Sequence, residues 1–457
     1  MSDIIVENEL GAFGYHQQLK GSLTAWQLTA FGLNYMIPIA PAVIFGFILQ
    51  LSGGSVALPY LLAGIGMSFT AISYGVLVQQ FPMAGSLYSY VSRGLNPHIG
   101  FLAGWVLLLD YLLIPTVTSM SASIYIQKIF PEINYTICLI LFTIVTGLLN
   151  LFGVNFLAKL SLWFLLTGEL VIIIGFGVWS YSIKIHGTGV GHLLSMEPFK
   201  FQSIATLSAA TSLAISGYLG FDAISTLAEE AKNPKRDIPK AIFWSVIIGG
   251  TTMFITGYLA TLVIPNWQQF SHDKDWLGST LFYVAEMTGG KWFTWFYTAE
   301  FLLAMAVFNM VATAAGSRLL FGMGRDGVLS KKIFSAINKQ WNTPHWNIIL
   351  IVLIECTIGV LATIDQISEL VNYGALLGFI LLNFTVIWFY YVRQKNKSKN
   401  IFKNFIFPVL GLFSMLWMFV NMQRMSLLFG SAWLLCGIIY GAYQSTTIST
   451  RITSHGI

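Results

Sequence analysis

Five acidic side chains fall inside long apolar stretches of the sequence, at Asp110, Glu169, Asp222, Glu300 and Glu355. A carboxylate in hydrocarbon costs at least about 2.5 kcal/mol and usually marks an ion path, a proton relay or a paired charge. Glu169 has no basic residue within a helical turn or two, so it is a candidate for holding a coupled proton, the alternative being a neutral packing residue. Asp110 and Asp222 are candidates for binding a cation, against a structural bond for Asp110 or a helix cap for Asp222. Glu300 and Glu355 are expected to serve packing or an interface.

The composition around these acids predicts an all-α integral membrane protein. The 457 residues are 56% hydrophobic and 9% charged, whereas an ordinary soluble domain has roughly 25% charged residues. Apolar runs of about twenty residues, each long enough to cross a bilayer, recur along the chain. They predict about twelve transmembrane helices, near residues 24–50, 57–80, 99–127, 134–152, 157–183, 203–229, 239–264, 291–320, 346–364, 368–391, 404–422 and 427–445.

The first and sixth of these helices carry residues that interrupt a helix. Helix 1 contains Pro38 and Pro41, which predict a break near residues 36–41. Helix 6 contains Gly217 and Gly220, which predict a break near residues 215–221. Paired breaks at membrane depth are tolerated where they line a cavity, so they point to a transporter's substrate site. The alternative is that these are ordinary kinks and close-packing glycines.

The candidate substrate-binding residues are those that surround the two breaks. Half-helix ends at such breaks attract both anions and cations, which suits an amine or a zwitterion. Among the side chains, Tyr218 and Phe221 could gate the site or stack on an amine. Ser216 offers a hydroxyl, although serine also commonly bonds its own helix backbone. The full set is Ile37, Ile39, Ala40, Pro41, Asp110, Ser216, Gly217, Tyr218, Phe221 and Asp222.

The distribution of basic residues predicts how the chain lies in the membrane. Most of the 24 lysine and arginine residues fall in alternate loops. Since cytoplasmic loops carry the excess of positive charge, both termini are expected in the cytoplasm, and the chain is expected to be a multi-pass protein of the inner (plasma) membrane.

The sequence argues against several other classes of membrane protein. There is no Walker A motif, no H-E-x-x-H and no cluster of Cys and His, which disfavours an ATP-driven pump, a metalloprotease and a metalloenzyme. No cofactor and no nucleic acid are expected as partners, and no enzymatic activity is expected. The expected partners are a small amine or amino acid, a proton and the lipid bilayer.

Three long stretches resemble the amino acid, polyamine and organocation transporter superfamily. They are QQFPMAGSLYSYVSRGLNPHIGFLAGW at 79–105, GFDAISTLAEEAKNPKRDIPKAI at 220–242 and SRLLFGMGRDGVLSKKIF at 317–334. Two further stretches are most similar to the bacterial putrescine importer subgroup, GWVLLLDYLLIP at 104–115 and LVNYGALLGFILLNFTV at 370–386. The resemblance covers nearly the whole chain.

The resemblance implies a secondary active transporter with a fold like that of the leucine transporter. Residues 1–23 would be a cytoplasmic segment, 24–391 a ten-helix core built as a five-plus-five inverted repeat, and 392–457 helices 11 and 12 with the cytoplasmic C-terminus. The implied activity is proton-coupled import of an amine, polyamine or amino acid by alternating access. A substrate exchanger, or a channel or nutrient sensor on the same scaffold, is the alternative.

The first helix departs from the pattern of the putrescine importers. Where they carry an acidic residue in its second half, this chain has Val43. Amino acid carriers have a glycine-rich break in this helix, whereas Pro38 and Pro41 each remove an amide here. The ligand is therefore expected to be a monoamine or a hydrophobic amino acid.

Overall fold

The computed structural model describes residues 21–36, 41–83, 86–270, 274–338, 340–394, 400–422 and 424–443. Over these residues the chain consists of helices joined by loops, together with isolated β-bridges that pair Leu23 with Ala231 and Asn338 with Thr343. The expected all-α architecture is confirmed for this part of the chain. The predicted break in helix 1, with Ile37, Ile39 and Ala40, falls on residues 37–40, outside the described residues.

The α-helices are α1 Ala25–Met36, α2 Pro41–Ser52, α3 Ala57–Gln80, α4 Ser86–Gly94, α5 Pro97–Ile129, α6 Tyr135–Asn150, α7 Val154–His186, α8 Ile204–Ala214, α9 Pro234–Val263, α10 Lys274–Leu277, α11 Thr280–Arg325, α12 Lys331–Phe334, α13 His345–Leu361, α14 Ile364–Trp388, α15 Phe407–Val420 and α16 Arg424–Tyr443. Four segments are 3₁₀-helical: Glu197–Phe199, Ile215–Tyr218, Phe221–Glu230 and Trp267–Phe270. Two more, Phe389–Arg393 and Phe402–Ile406, are π-helical.

Nine helical stretches among the described residues are long and apolar enough to cross a membrane. They are Ala57–Gln80, Pro97–Gln127, Asn155–His186, Ile204–Glu230, Pro234–Val263, Thr280–Arg325, Leu370–Arg393, Phe402–Val420 and Arg424–Tyr443. Two shorter apolar helices, Tyr135–Asn150 and His345–Leu361, accompany them. These spans confirm a multi-pass membrane protein.

Local sequence signals explain where several helices begin and bend. Asn96 accepts a hydrogen bond from the backbone N–H of His98 at 2.8 Å, and Pro97 occupies the first turn of α5, as expected of a capped helix start. Helix α11 begins earlier than residue 291, the expected start of helix 8, and bends at Gly290, whose φ of 71° is non-helical. Glycine adopts this conformation without the steric cost that a Cβ brings.

The centre of the bundle is formed by α5 and α11, while α7 and α16 lie at its surface. In α5 and in α11, 78% of the most apolar 18-residue stretch is buried inside the protein, whereas in α7 and in α16 the buried share of that stretch is 22%. An apolar helix face that is not covered by protein in a membrane protein faces lipid. Side chains carried by the inner part of α5 are therefore shielded from both lipid and water.

Candidate functional site

The span Ile204–Glu230, which corresponds to the expected helix 6, loses its α-helical geometry near its middle, where the sequence predicts it. Helix α8 ends at Ala214, a 3₁₀ segment follows, and the chain turns at Gly220 with φ 113° before Phe221–Glu230. A Cβ on Gly220 would lie 2.6 Å from Cγ of Tyr35 on α1. Glycine is therefore required here for its left-handed backbone and for the close approach of Tyr35.

Asp222 lies just after this turn and is fully buried. Its Oδ1 accepts a hydrogen bond from the backbone N–H of Gly220 at 3.3 Å, and its Oδ2 accepts one from the hydroxyl of Tyr111 at 2.6 Å. The carboxyl thus satisfies a backbone group at the break and links helix 6 to α5. Since a carboxylate has about four acceptor positions, it keeps the capacity to bind a further donor.

Asp110 precedes Tyr111 on α5 and is also fully buried. Neither of its carboxyl oxygens has a hydrogen-bond partner among the described residues. It directly precedes Tyr111, whose hydroxyl bonds to Asp222, and its carboxyl interacts electrostatically with that of Asp222. The structure thus brings together two of the predicted site residues, which are distant in sequence. Removing a lone charge from water costs several kcal/mol, so this pair requires a cation or a proton.

The sequence neighbours of the two acids, Tyr111 and Phe221, each belong to a group of aromatic rings. The ring of Tyr35 lies 6.1 Å from that of Tyr111, and its buried hydroxyl has no partner in the described part of the chain. Phe221 lies 5.9 Å from Tyr74 and 5.5 Å from Phe379, measured between ring centroids. Aromatic faces attract cations, and hydroxyls can accept from an amine, so these residues suit an organic cation.

Sequence reasoning had not singled out Tyr35 and Tyr111. Their positions in the sequence could have indicated a place in the site, because Tyr111 directly follows Asp110 in LLLDYLL and Tyr35 lies three residues before Pro38. Aromatic residues in membrane helices are usually core or interface residues, which hides such a role.

Three other predicted residues of helix 6 pack the break against neighbouring helices. The Ser216 hydroxyl donates to the carbonyl of Leu213, as serine commonly does within a helix. Tyr218 is buried and donates to the Tyr60 carbonyl at 2.7 Å. A Cβ on Gly217 would lie 3.0 Å from Sδ of Met253 on α9. Their polar groups are thus engaged with protein. Pro41, from the helix 1 set, is the first residue of α2.

Glu169 lies on α7, partly buried, and one of its carboxyl oxygens is buried without a hydrogen-bond partner in the described residues. Glu300 on α11 is buried and likewise has one carboxyl oxygen without a hydrogen-bond partner in the described residues. Glu300 lies against the neighbour of Glu169 in sequence, since a Cβ on Gly168 would be 2.9 Å from its Oε1. Two acids with unused acceptor capacity therefore flank the contact between α7 and α11.

Glu355 on α13 occupies a different environment. Its Oε2 accepts hydrogen bonds from Ser119 at 2.6 Å and Asn309 at 2.7 Å, and its Oε1 accepts one from Thr313 at 3.4 Å. These donors belong to α5 and α11, so the carboxyl connects three helices. Because both of its carboxyl oxygens accept hydrogen bonds from buried side chains, Glu355 fits the packing role expected of it.

Two buried ion pairs join the end of helix 6 to the end of α11. Glu230 pairs with Arg318, and Glu229 Oε1 lies 2.7 Å from Nη1 of Arg325. The backbone N–H groups of Ser22 and Leu23 donate to the Glu230 carbonyl, each at 2.8 Å. The segment before α1, helix 6 and α11 are therefore fastened together at one end of the bundle.

Comparisons with known proteins identify the family. The model of the family described as amino acid permease matches residues 23–443. The chain is 32% identical to the low-affinity putrescine importer PlaP of Escherichia coli K12, over 93% of both chains. It is 25% identical to the branched-chain amino acid permease BcaP of Bacillus subtilis, over 96% of both chains. It is also 24% identical to the methylthioribose transporter of the same species, over 95% of this chain and 96% of that one.

These matches confirm the resemblance that the sequence stretches indicated, including the similarity to bacterial putrescine importers. They also agree with the expectation of a transporter rather than an enzyme. The chain therefore belongs to the amino acid permease family of the amino acid, polyamine and organocation superfamily, and it is a membrane transporter of amines or amino acids.

Proposed function

We propose that this chain is a secondary active transporter that imports a small organic amine together with a proton. The observation that carries the proposal is the buried pair of Asp110 and Asp222 at the helix 6 break. Asp110 has no hydrogen-bond partner in the described residues, so a substrate ammonium group would satisfy it. Several relatives transport amines or amino acids, and an importer of putrescine is among them.

Charge matching favours a cationic substrate at this site. One ammonium group would bind Asp110 and could share Asp222, which already accepts from Tyr111. A diamine would neutralise both carboxyls, whereas a monoamine would leave one of them to hold a proton. The absence of an acid at Val43 favours the monoamine. The adjacent rings of Phe221 and Phe379 would suit the hydrocarbon part of such a ligand.

A hydrophobic amino acid is the second candidate. The branched-chain amino acid permease among the relatives favours it. The amino group would occupy the same position beside Asp110, and the carboxylate would have to find backbone amides at the breaks. The substrate-binding set that we propose remains Asp110 with Ile37, Ile39, Ala40, Pro41, Ser216, Gly217, Tyr218, Phe221 and Asp222.

For the topology, we propose twelve spans with both termini in the cytoplasm. The nine long spans, the two shorter apolar helices and the pair α1 and α2, counted as one interrupted helix, support this number. Residues 24–391 would form the five-plus-five inverted repeat, and 392–457 would add helices 11 and 12, after the cytoplasmic segment 1–23. The non-helical turn at Gly220 supports a broken helix 6, the counterpart of helix 1 in such a repeat.

Proton coupling is assigned to Glu169. Its partly buried carboxyl has an oxygen without a partner in the described residues, and α7 packs on α11 beside it. A carboxyl in this position can take up and release a proton without breaking a structural bond. Asp110 is the alternative carrier, since it also lacks a partner there.

Alternating access would follow from rocking of helices 1, 2, 6 and 7 against the remaining helices. In the structure these correspond to α1 with α2, to α3, to Ile204–Glu230 and to α9. The ion pairs of Glu229 and Glu230 with α11 would close one end of the pathway and separate when that end opens. Exchange of substrate against substrate would use the same machinery without net proton flux.

A binding screen on the purified protein tests the proposed substrate class. A ligand that binds the folded state raises its thermal stability in proportion to the logarithm of its concentration over Kd. We expect monoamines or diamines to raise the midpoint and uncharged analogues of the same length to leave it unchanged. Stabilisation by the uncharged analogues, with none by the amines, would contradict the cationic site.

A further inference from the structure

A groove with a volume of about 300 Å³ lies on the outside of the helix bundle, apart from the acid pair. It is bounded by α3, α9 and the segment that leads into α15. Its walls are apolar and include Ala71, Val76, Phe243 and Phe407, whereas Gln79 and Lys403 are its polar members. Both polar side chains are exposed.

The apolar and polar parts of the groove are separated along the helix axis. On α3 the lining residues run from Ala71 to Gln79, which is the penultimate residue of that helix. At 1.5 Å per residue, these eight steps span about 12 Å. Lys403 lies one helical turn before Phe407. The groove is therefore apolar at depth and cationic near one membrane surface.

This polarity matches a phospholipid. The groove opens outward from a membrane-spanning bundle, so an acyl chain can enter it from the bilayer. The lysine ammonium can bind a phosphate at the headgroup level, as lysines near helix ends do. In the sequence, Lys395, Lys397 and Lys399 precede Lys403, and each basic residue near a membrane surface attracts anionic lipid by about 1 kcal/mol.

We propose that this groove binds one anionic phospholipid, with an acyl chain along the surface that α3, α9 and Phe407 line and its phosphate against Lys403. The groove also joins parts that are expected to move differently. Helices α3 and α9 belong to the rocking set of the proposed function, whereas α15 lies outside the ten-helix core. The regulatory consequence rests on that proposed function: a bound lipid would favour one arrangement of these helices and make the transport rate depend on anionic lipid.

Lipid binding can be measured without any transport. We would strip the purified full-length protein of lipid in a neutral detergent and titrate it with phosphatidylglycerol or phosphatidylcholine. Phosphatidylglycerol should raise the thermal midpoint at lower concentration than phosphatidylcholine, and inorganic phosphate should have no effect. Lys403→Gln should weaken the preference for phosphatidylglycerol about fivefold. The matched control is Lys332→Gln, which removes an exposed lysine of α12 outside the groove and should change nothing.

Photo-crosslinking locates the lipid in the unmodified protein, so it does not depend on a variant folding. A phosphatidylglycerol with a photoreactive group in its acyl chain should label residues 71–79, 239–243 and 403–407. Ala71→Phe, which fills the groove, should reduce this labelling at least fivefold. Labelling spread evenly over the bundle, or equal lipid preference in Lys403→Gln and the unmodified protein, would overturn the proposal. Amine-induced stabilisation in the same preparation reports the substrate site separately, so the two proposals can fail independently.

Discussion

The hydroxyl of Tyr111 donates a 2.6 Å hydrogen bond to Oδ2 of Asp222, which joins the centre of α5 to the break in helix 6. This bond determines how the two buried acids differ. Asp222 is held by Tyr111 and by the backbone of Gly220, whereas Asp110, one residue before Tyr111, has no partner among the described residues. In the proposed site, a cation would therefore meet one carboxyl that the protein already holds in place and one whose only partner would be the ligand.

Replacing Tyr111 with Phe should weaken substrate binding while preserving the fold. The variant loses a hydrogen bond to a charged group, worth roughly 1.5–3 kcal/mol, so the KM for uptake should rise about tenfold or more. Uptake into proteoliposomes measures this effect. Tyr135→Phe is the control, because that hydroxyl donates to the Gly359 carbonyl on α13, and its KM should stay unchanged. Equal KM values for Tyr111→Phe and the unmodified protein would show that this bond does not organise the site.

Gly220→Ala should destabilise the backbone turn at the helix 6 break. The new Cβ would meet the ring of Tyr35 and would sit on a backbone with φ 113°, at a cost of about 1–3 kcal/mol. We expect a lower thermal midpoint and loss of uptake. Gly177→Ala on α7 is the matched control, because a Cβ there meets nothing within 4 Å. If both variants were equally stable and active, the break would accept a Cβ at residue 220, and the requirement for glycine there would be contradicted.

Glu355 offers a test that separates packing from proton coupling. In Glu355→Gln the amide oxygen can still accept from Ser119 and Asn309, which both bond to Oε2. That variant should fold and keep gradient-driven uptake. Glu355→Leu removes the acceptor of the buried Ser119 hydroxyl, whereas Asn309 still donates to the Pro115 carbonyl, and should lower the free energy of unfolding by about 1–3 kcal/mol. Loss of coupled uptake in a well-folded Glu355→Gln protein would instead assign the proton to this residue.

Glu169→Gln should abolish uptake driven by a pH gradient and spare exchange of labelled against unlabelled substrate. The amide cannot carry a proton, but the substrate site is left intact. Both activities can be followed in the same proteoliposomes. Glu286→Gln, at an exposed acid of α11, serves as the control and should retain both. Unchanged gradient-driven uptake in Glu169→Gln would remove this residue from coupling.

Local sequence patterns predict the elements of this molecule better than they predict its contacts. Gly217 and Gly220 locate the helix 6 break because glycine weakens a helix wherever it occurs. The extension of α11 before residue 291 is not predicted, since an apolar stretch of sequence does not show that a helix begins earlier and bends at Gly290.

The composition of the site depends on tertiary packing. Asp110 and Asp222 are each recognisable as acids in apolar helices, but their proximity follows from how α5 crosses helix 6. The bond of Tyr111 to Asp222 spans 111 residues of sequence, and no helical periodicity encodes it. The same is true of the pair between Glu230 and Arg318, which lie in two separate signature stretches.

Asp110→Asn tests the central claim most directly. The substitution keeps the shape of the side chain and removes the charge that the ligand is proposed to neutralise. We predict a folded protein whose thermal midpoint is preserved and whose affinity for the transported amine, measured by titration calorimetry, falls by at least about a hundredfold. An Asp110→Asn protein that binds the amine as tightly as the unmodified transporter would contradict a substrate site built on this buried acid pair.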